Sequence, residues 1–131
     1  MKKILLTFLL LSTVLFAEVK NEYLSQTLID SKIPIVDIRT PAEWRETGIV
    51  KNSIPIMFFN ERGGYNIDLF LTQLNEKVDT KKSFALICHT GSRTRTLSAF
   101  LSKELGYDVV NIKGGIVLAK SKNIKLVPSK Q

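Results

Sequence analysis

The sequence contains very little of the residues that build disulfides and metal sites. One cysteine, Cys88, and one histidine, His89, occur in 131 residues. A lone cysteine can form no internal disulfide, and one Cys with one His supplies too few ligands for a metal ion. Internal repeats, low-complexity blocks and interdomain linkers are also absent. We therefore expect one domain that works without a metal or another cofactor.

Long apolar runs are scarce as well, and the only one lies at the N-terminus. A basic start, Met1 to Lys3, precedes a mainly apolar stretch from Ile4 to Phe16, and Ala17 is followed by polar residues. This pattern is typical of a secretory signal peptide cleaved after Ala17. An uncleaved membrane anchor is the alternative, but the stretch is shorter than the roughly 20 residues that a spanning helix needs. We expect a signal peptide over 1–17, a mature domain over 18–131 with no integral membrane segment, and a periplasmic or secreted location.

The charge is positive but not concentrated. The whole chain carries +7, and removal of the signal takes two of its 19 Lys and Arg and none of its 12 acids, leaving 17 − 12 = +5. Such a charge favours a small anionic molecule or an acidic partner. The one dense group of lysines lies in the C-terminal tail and is expected to be solvated (Lys120, Lys122, Lys125 and Lys130). Nucleic acid is therefore not an expected partner.

Strand-like and helix-like patterns alternate along the chain. Their spacing predicts helices over 22–31, 66–77 and 92–105, with strands over 33–38, 54–58, 84–87 and 108–112. Thr40, Pro41 and Glu43 carry the signature of a helix start, and this helix should end at Gly48. Pro55 suits a sheet edge or the start of a strand better than the centre of a sheet. The alternation predicts an α/β fold in which a parallel sheet is covered on both faces and binds ligands beyond the carboxyl ends of its strands.

Cys88 lies at such an end. The apolar run Phe84 to Ile87 precedes it, and a polar turn leads into a helix at Ser92, for which Ser92 is the expected cap. Gly91 is expected to take a backbone conformation closed to other residues, so that the loop curls around the sulfur. Backbone N–H groups in such a turn attract anions and stabilise a thiolate. The alternative is that Cys88 is only a small buried apolar residue.

The length of this loop separates two chemistries. Cysteine phosphatases have five residues between the cysteine and the arginine, which here would place the arginine at position 94, where Thr94 stands. Four residues separate Cys88 from Arg93 instead. The pattern Cys-x-x-Gly-x-Arg over 88–93 resembles the active-site loop of the rhodanese family of sulfurtransferases.

Further segments resemble the same family in the same order. They are Ile35 to Arg39, Glu43-Trp44, Gly48, Gly106-Tyr107 and the pair Gly114-Gly115. The resemblance implies a rhodanese-like five-stranded parallel sheet with helices on both sides, and catalysis through a persulfide on Cys88. Two departures are that Thr94 replaces the usual serine and that little sequence is left before the first helix to form the family's first strand.

The resemblance also suggests roles for the neighbours of Cys88. The loop residues His89, Thr90, Gly91, Ser92, Arg93 and Thr94 are expected to bind substrate. Two roles are open for Arg93, which either binds the donor's oxyanion or braces the loop carbonyls. His89 either adjusts the protonation of the cysteine or points to solvent. From their place after a strand on the same edge as Cys88, Asp37 and Arg39 are expected to support the site as a buried ion pair or hydrogen bond rather than to contact substrate.

The predicted function is that of an exported sulfurtransferase. It would move sulfane sulfur from a small anionic donor, thiosulfate or a polysulfide, to a thiophilic or protein acceptor through the Cys88 persulfide. One rival is a non-enzymatic periplasmic sulfur carrier or binding module that docks on a partner. A phosphatase or arsenate reductase on the same fold is a second rival, which the short loop disfavours. A purely structural domain of this type, the third, would be expected to lack the cysteine.

Overall fold

The computed structural model describes residues 18–131, so the predicted signal peptide lies outside the described residues. Seven strands and five helices are present in this part of the chain. The strands are β1 (Lys20–Tyr23), β2 (Ile35–Asp37), β3 (Ile49–Val50), β4 (Ile54–Pro55), β5 (Phe84–Ile87), β6 (Val109–Lys113) and β7 (Leu126–Val127). The helices are α1 (Gln26–Asp30), α2 (Pro41–Thr47), α3 (Ile67–Lys77), α4 (Ser92–Leu105) and α5 (Gly115–Ser121).

Five strands form one parallel sheet in the order β1-β6-β5-β2-β4. The prediction of a five-stranded parallel α/β sheet is therefore confirmed. Pro55 lies in β4, an edge strand of this sheet, as its missing N–H group requires. Because β5 lies at the centre, between β6 and β2, its carboxyl end is flanked by those of two neighbours.

The expectation that the first strand has too little sequence was wrong. Residues Lys20–Tyr23 form β1, which pairs with β6 from Lys20 opposite Val110 to Tyr23 opposite Lys113. The predicted helix over 22–31 is correspondingly shorter and begins at Gln26, with Ser25 as its N-cap. All four side chains of β1 are exposed, so its backbone hydrogen bonds rather than apolar burial hold it at the edge.

Helices cover both faces of the sheet. On one face α3 and α4 pack through Phe70, Leu74, Leu97 and Leu101 against alternate strand residues that include Phe84 and Leu86. On the other face α1 and α5 pack through Leu28, Ile116 and Ala119 against Ala85 and Ile87. Cys88 continues the alternation and belongs to the core on the α3 and α4 side.

The start of α2 has the geometry that its sequence predicted. The Thr40 hydroxyl accepts from the Glu43 N–H, while the Glu43 carboxylate accepts from the Thr40 N–H, and Pro41 occupies the first turn. Gly48 ends this helix with a φ of 77°. This capping box places the Glu43 carboxylate immediately after β2, at the edge of the sheet where β5 also ends.

A two-stranded antiparallel pair was not predicted. β3 pairs with β7, placing Ile49 opposite Val127. Each strand has two residues, which is too short for a periodic pattern. The four lysines of the C-terminal segment are exposed, as expected. Across residues 18–131, no helix has the length and apolar character needed to cross a bilayer.

Candidate active site

Cys88 follows the last residue of β5 and stands at the carboxyl edge of the sheet. Four residues later α4 begins at Ser92. Gly91 is the N-cap of this helix and has a φ of 100°, which confirms the predicted backbone conformation. The expectation that Ser92 caps the helix was wrong, because Ser92 is its first residue and Gly91 has no side chain to act as a cap. The turn is set by the backbone of glycine, not by a serine hydroxyl.

The sulfur of Cys88 is held by polar groups although the residue is completely buried. The Gly91 N–H donates to Sγ at 3.2 Å, and the thiol lies 3.6 Å from Oγ1 of Thr94 as a donor. The Thr94 hydroxyl in turn donates to the Gly91 carbonyl at 3.2 Å. When the thiol loses its proton, this hydroxyl can rotate and donate to the sulfur. The site therefore offers a thiolate one backbone and one side-chain donor.

The first turn of α5 holds the loop from behind. The Ile116 N–H donates to the Cys88 carbonyl at 2.9 Å, and the Val117 N–H donates to the His89 carbonyl at 3.1 Å. These bonds turn the two loop carbonyls toward α5. Gly115 allows the start of α5 to lie this close to the loop, since a Cβ at this position would lie 2.5 Å from the Cys88 carbonyl oxygen and 2.4 Å from that of His89. The late glycine pair is thus part of the support for the loop.

In this structure the guanidinium of Arg93 pairs with a carboxylate, and oxyanion binding by this residue stays a prediction. Its guanidinium forms a two-pronged ion pair with Glu43, with Nη1 to Oε2 at 2.9 Å and Nη2 to Oε1 at 2.6 Å. Oε2 of Glu43 also accepts from the N–H and the hydroxyl of Thr40. The loop is therefore tied to the start of α2 by a charged pair that is about one quarter exposed on each side.

The electrostatics of the pair follow from these contacts. Partial burial raises the pKa of Glu43, but the hydrogen bonds from Arg93 and Thr40 outweigh burial and lower this pKa from 4.5 to about 2. The hydrogen bond to Glu43 raises the pKa of Arg93 above its ordinary value, against the opposing effect of burial. Both groups are charged at neutral pH, and their charges cancel.

Sequence reasoning did not identify Glu43 as a site residue. Its place in the capping box explained it completely as a structural residue. A partial signal was available, because the predicted parallel sheet puts the carboxyl ends of its strands at one edge. Only the structure shows that β2 and β5 are neighbours. A carboxylate at the start of α2 and an arginine at the start of α4 consequently lie at the same edge of the sheet.

Asp37 and Arg39 form the expected buried ion pair. Both are completely buried, and Nη2 of Arg39 lies 2.8 Å from Oδ2 of Asp37. Arg39 also donates to the Thr47 hydroxyl at 2.8 Å and to the Gly48 carbonyl at 2.9 Å. The pair thus fastens the end of α2 to the end of β2. It supports the segment that carries Glu43.

The remaining predicted residues lie on the outside of the loop. His89, Thr90 and Ser92 are exposed, so the structure agrees with the second of the two alternatives for His89. Arg95 and Arg45 are exposed as well, while Trp44 is buried. The loop brings together Cys88, Gly91 and Thr94 at the sulfur and places the other members of 89–94 around it.

An apolar cavity of about 350 Å³ opens beside this core. Its lining is mostly aromatic and comprises Phe58, Phe59, Tyr65, Ile67, Thr96, Leu97 and Phe100. Phe58 and Leu97 also belong to the packed cluster that contains Cys88. The cavity therefore adjoins the packed core to which Cys88 belongs.

The sheet has five parallel strands, and its central strand leads through a loop that contains Cys88 into a helix. The chain is therefore an α/β domain with its cysteine at the carboxyl edge of the sheet. Residues 20–122 match the model of the rhodanese-like domain, and the chain belongs to this family. The resemblance drawn from the loop and the flanking segments is thereby confirmed.

Individual relatives agree with this assignment. The chain is 32% identical over 92 residues to an uncharacterised protein of Rickettsia prowazekii. This alignment covers 67% of this chain and 72% of the relative. The chain is 29% identical over 102 residues to a protein of Allochromatium vinosum named sulfurtransferase, which covers 76% of this chain and 84% of the relative. The crystal structure of a rhodanese-related protein from Thermoplasma volcanium superposes with a TM-score of 0.55 at 28% identity, over 74% of this chain and 85% of that one.

Proposed function

We propose that this protein is a sulfurtransferase that carries sulfane sulfur on Cys88. The observation that carries the proposal is the setting of the sulfur, which sits in a loop at the start of α4 and receives the Gly91 N–H at 3.2 Å. Hydrogen-bond donors that are fixed in place before the reaction stabilise negative charge on sulfur without reorganisation. The same donors would serve the thiolate and the terminal sulfur of a persulfide.

The first half-reaction loads the cysteine. With thiosulfate, the Cys88 thiolate attacks the outer sulfur, a new S–S bond forms, and the old S–S bond breaks as sulfite leaves with the electron pair. With a polysulfide or an organic persulfide, a shorter polysulfide or a thiolate leaves in the same way. Each reaction conserves charge and needs no oxidant or reductant. Because Cys88 is completely buried, the side chains around the loop must move for a donor to reach it.

The second half-reaction unloads the sulfur. A thiophilic acceptor attacks the outer sulfur of the persulfide, and Cys88 leaves as a thiolate. The chain has no second cysteine to take the sulfur over. The acceptor is therefore an outside molecule, either a small nucleophile or a group on a partner protein.

Three further observations support sulfur transfer, and the last two of them disfavour the phosphatase. One relative carries the name sulfurtransferase. The loop has four residues between Cys88 and Arg93, whereas the phosphatase loop has five. The Arg93 guanidinium is also paired with a carboxylate and is therefore not free to bind a phosphoryl group. We place this activity in the periplasm or outside the cell, on the basis of the N-terminal segment.

The intact mass of the mature protein tests the proposal. The reduced protein is treated in turn with thiosulfate, polysulfide and an organic persulfide, alongside Cys88→Ser. We expect the wild type alone to gain one sulfur atom and to lose it again to cyanide. Since the chain has one cysteine, the gain is assigned without further mapping.

Failure to gain sulfur from all three donors would overturn the proposal. A gain without turnover to small acceptors would favour the sulfur carrier that docks on a partner. Hydrolysis of a phosphoryl substrate that Cys88→Ser abolishes would favour the phosphatase instead.

A further inference from the structure

The ion pair between Glu43 and Arg93 changes what the loop can recognise. An arginine at the start of α4 would ordinarily be the cation that draws an oxyanion toward the sulfur. Here both of its terminal nitrogens donate to one carboxylate, at 2.9 and 2.6 Å. The net charge of the pair is zero, so the loop presents no uncompensated charge from Arg93.

The other arginines described near the loop do not replace the positive charge of Arg93. Arg39 is fully buried and paired with Asp37. Arg95 is exposed on α4, where water and salt screen it. The cavity beside the cluster of Cys88 is apolar. At the loop, an approaching sulfur donor therefore meets backbone amide dipoles rather than a free guanidinium.

This setting treats donors of different charge unequally. Thiosulfate brings two negative charges to a thiolate and leaves as the sulfite dianion. An organic persulfide with an uncharged substituent brings one negative charge, and its leaving group is a thiolate. The repulsion between donor and thiolate is greater for the dianion, and a neutralised arginine does not offset it.

We propose that Glu43 is a specificity-determining residue which cancels the charge of Arg93, so that Cys88 accepts sulfur from monoanionic organic persulfides in preference to dianionic thiosulfate. This inference rests on the proposed function and names its donor class. Glu43 acts through Arg93 and is a positioning residue. Its carboxylate does not need to touch the donor.

Glu43→Gln tests the inference with little structural disturbance. Glutamine also completes a capping box, so the start of α2 is retained and only the charge is removed. Glu46→Gln is the matched control, because Glu46 lies on the same helix, is exposed and makes the same change in net charge. Urea unfolding verifies that both variants are folded.

The main readout is a ratio of loading rates. Persulfide formation at Cys88 is followed by mass with thiosulfate and with the persulfide of 2-mercaptoethanol, a monoanion. We expect the wild type to load faster from the organic persulfide. Glu43→Gln should raise the ratio of the thiosulfate rate to the persulfide rate about tenfold, and Glu46→Gln should change it less than about twofold. Equal changes with both donors, or the same ratio in both variants, would overturn the inference.

A second readout does not depend on sulfur transfer. The rates of Cys88 alkylation by anionic iodoacetate and neutral iodoacetamide are compared in the same proteins. Glu43→Gln should raise the ratio of the first rate to the second several-fold, whereas Glu46→Gln should not. If the wild type takes sulfur from no donor, the proposed function fails and this ratio alone decides whether Glu43 sets the charge at the sulfur. An unchanged ratio then overturns the inference as well.

Discussion

Thr94 is the residue through which α4 contacts the sulfur. It is completely buried, and its hydroxyl lies between Sγ of Cys88 and the carbonyl of Gly91. A hydroxyl can accept from a thiol and donate to a thiolate, so it serves both protonation states of the cysteine. The usual serine of the family would supply the same group with one methyl fewer, and the departure at this position keeps the chemistry.

Replacing Thr94 by valine tests this role at the residue scale. Valine has nearly the same shape but no hydroxyl, so the thiolate and the persulfide lose one donor. A hydrogen bond to a charged group contributes roughly 1.5–3 kcal/mol, and about 1.4 kcal/mol is a factor of ten in rate. We expect Thr94→Val to slow persulfide formation about tenfold or more, measured by mass at fixed donor concentration.

Thr94→Ser is the control for this experiment, because it keeps the hydroxyl and removes a methyl group. Its loading rate should stay within roughly threefold of the wild type. If the serine and valine variants are slowed equally, packing rather than the hydroxyl accounts for the effect. In that case the hydrogen bond to sulfur is not used.

At the scale of elements, the loop depends on the turn that precedes α5. Gly114 and Gly115 both have positive φ values, of 77° and 55°. The conformation of Gly115 directs the N–H groups of Ile116 and Val117 to the carbonyls of Cys88 and His89. The central strand, the cysteine loop and α5 therefore hold one another in place. A change at this turn should therefore affect the sulfur through these hydrogen bonds to the loop.

Gly115→Ala is expected to destabilise the protein and to impair sulfur loading. Its Cβ would lie 2.4 Å from a backbone oxygen, and backbone cannot swing aside as a side chain does. Left-handed strain of about 1–2 kcal/mol adds to overpacking of about 1–3 kcal/mol, so the free energy of unfolding should fall by roughly 2–5 kcal/mol. Urea denaturation measures this loss.

Gly106→Ala separates the two contributions. Gly106 has a φ of 68° at the end of α4, but a Cβ there would meet no atom within 4 Å. This variant should show the strain alone and load sulfur normally. Equal losses of stability in the two variants would mean that the contact between Gly115 and the loop is not tight in solution.

At the scale of the whole molecule, the topology assembles the site from distant parts of the chain. Glu43 and Arg93 are fifty positions apart and are joined because β2 and β5 are parallel neighbours. The predicted elements 66–77, 84–87 and 92–105 correspond closely to α3, β5 and α4, since each has a clear apolar period or a clear stop. β1, β3 and β7 were missed, because short strands are stabilised by partners that a local pattern does not contain.

The location of the molecule is a prediction at the same scale. If residues 1–17 are a signal peptide, the full sequence expressed in a Gram-negative host should yield a periplasmic protein whose first residue is Glu18. The intact mass of the periplasmic fraction, with N-terminal sequencing, measures this. A protein that keeps Met1 and sediments with membranes would favour the anchor, and an unprocessed protein in the cytosol would refute export.

The sequence by itself determined the α/β class, the resemblance to the rhodanese family and the cysteine, because periodicity, capping residues and loop length are properties of neighbouring positions. It also determined that Gly91 would have a positive φ, which the loop needs to turn. Only the tertiary structure decided what Arg93 binds. Local sequence describes Glu43 as part of the capping box of α2, but its carboxylate also accepts hydrogen bonds from Arg93 on α4. Such a contact depends on the order and direction of the strands, and these are decided when the whole sheet assembles.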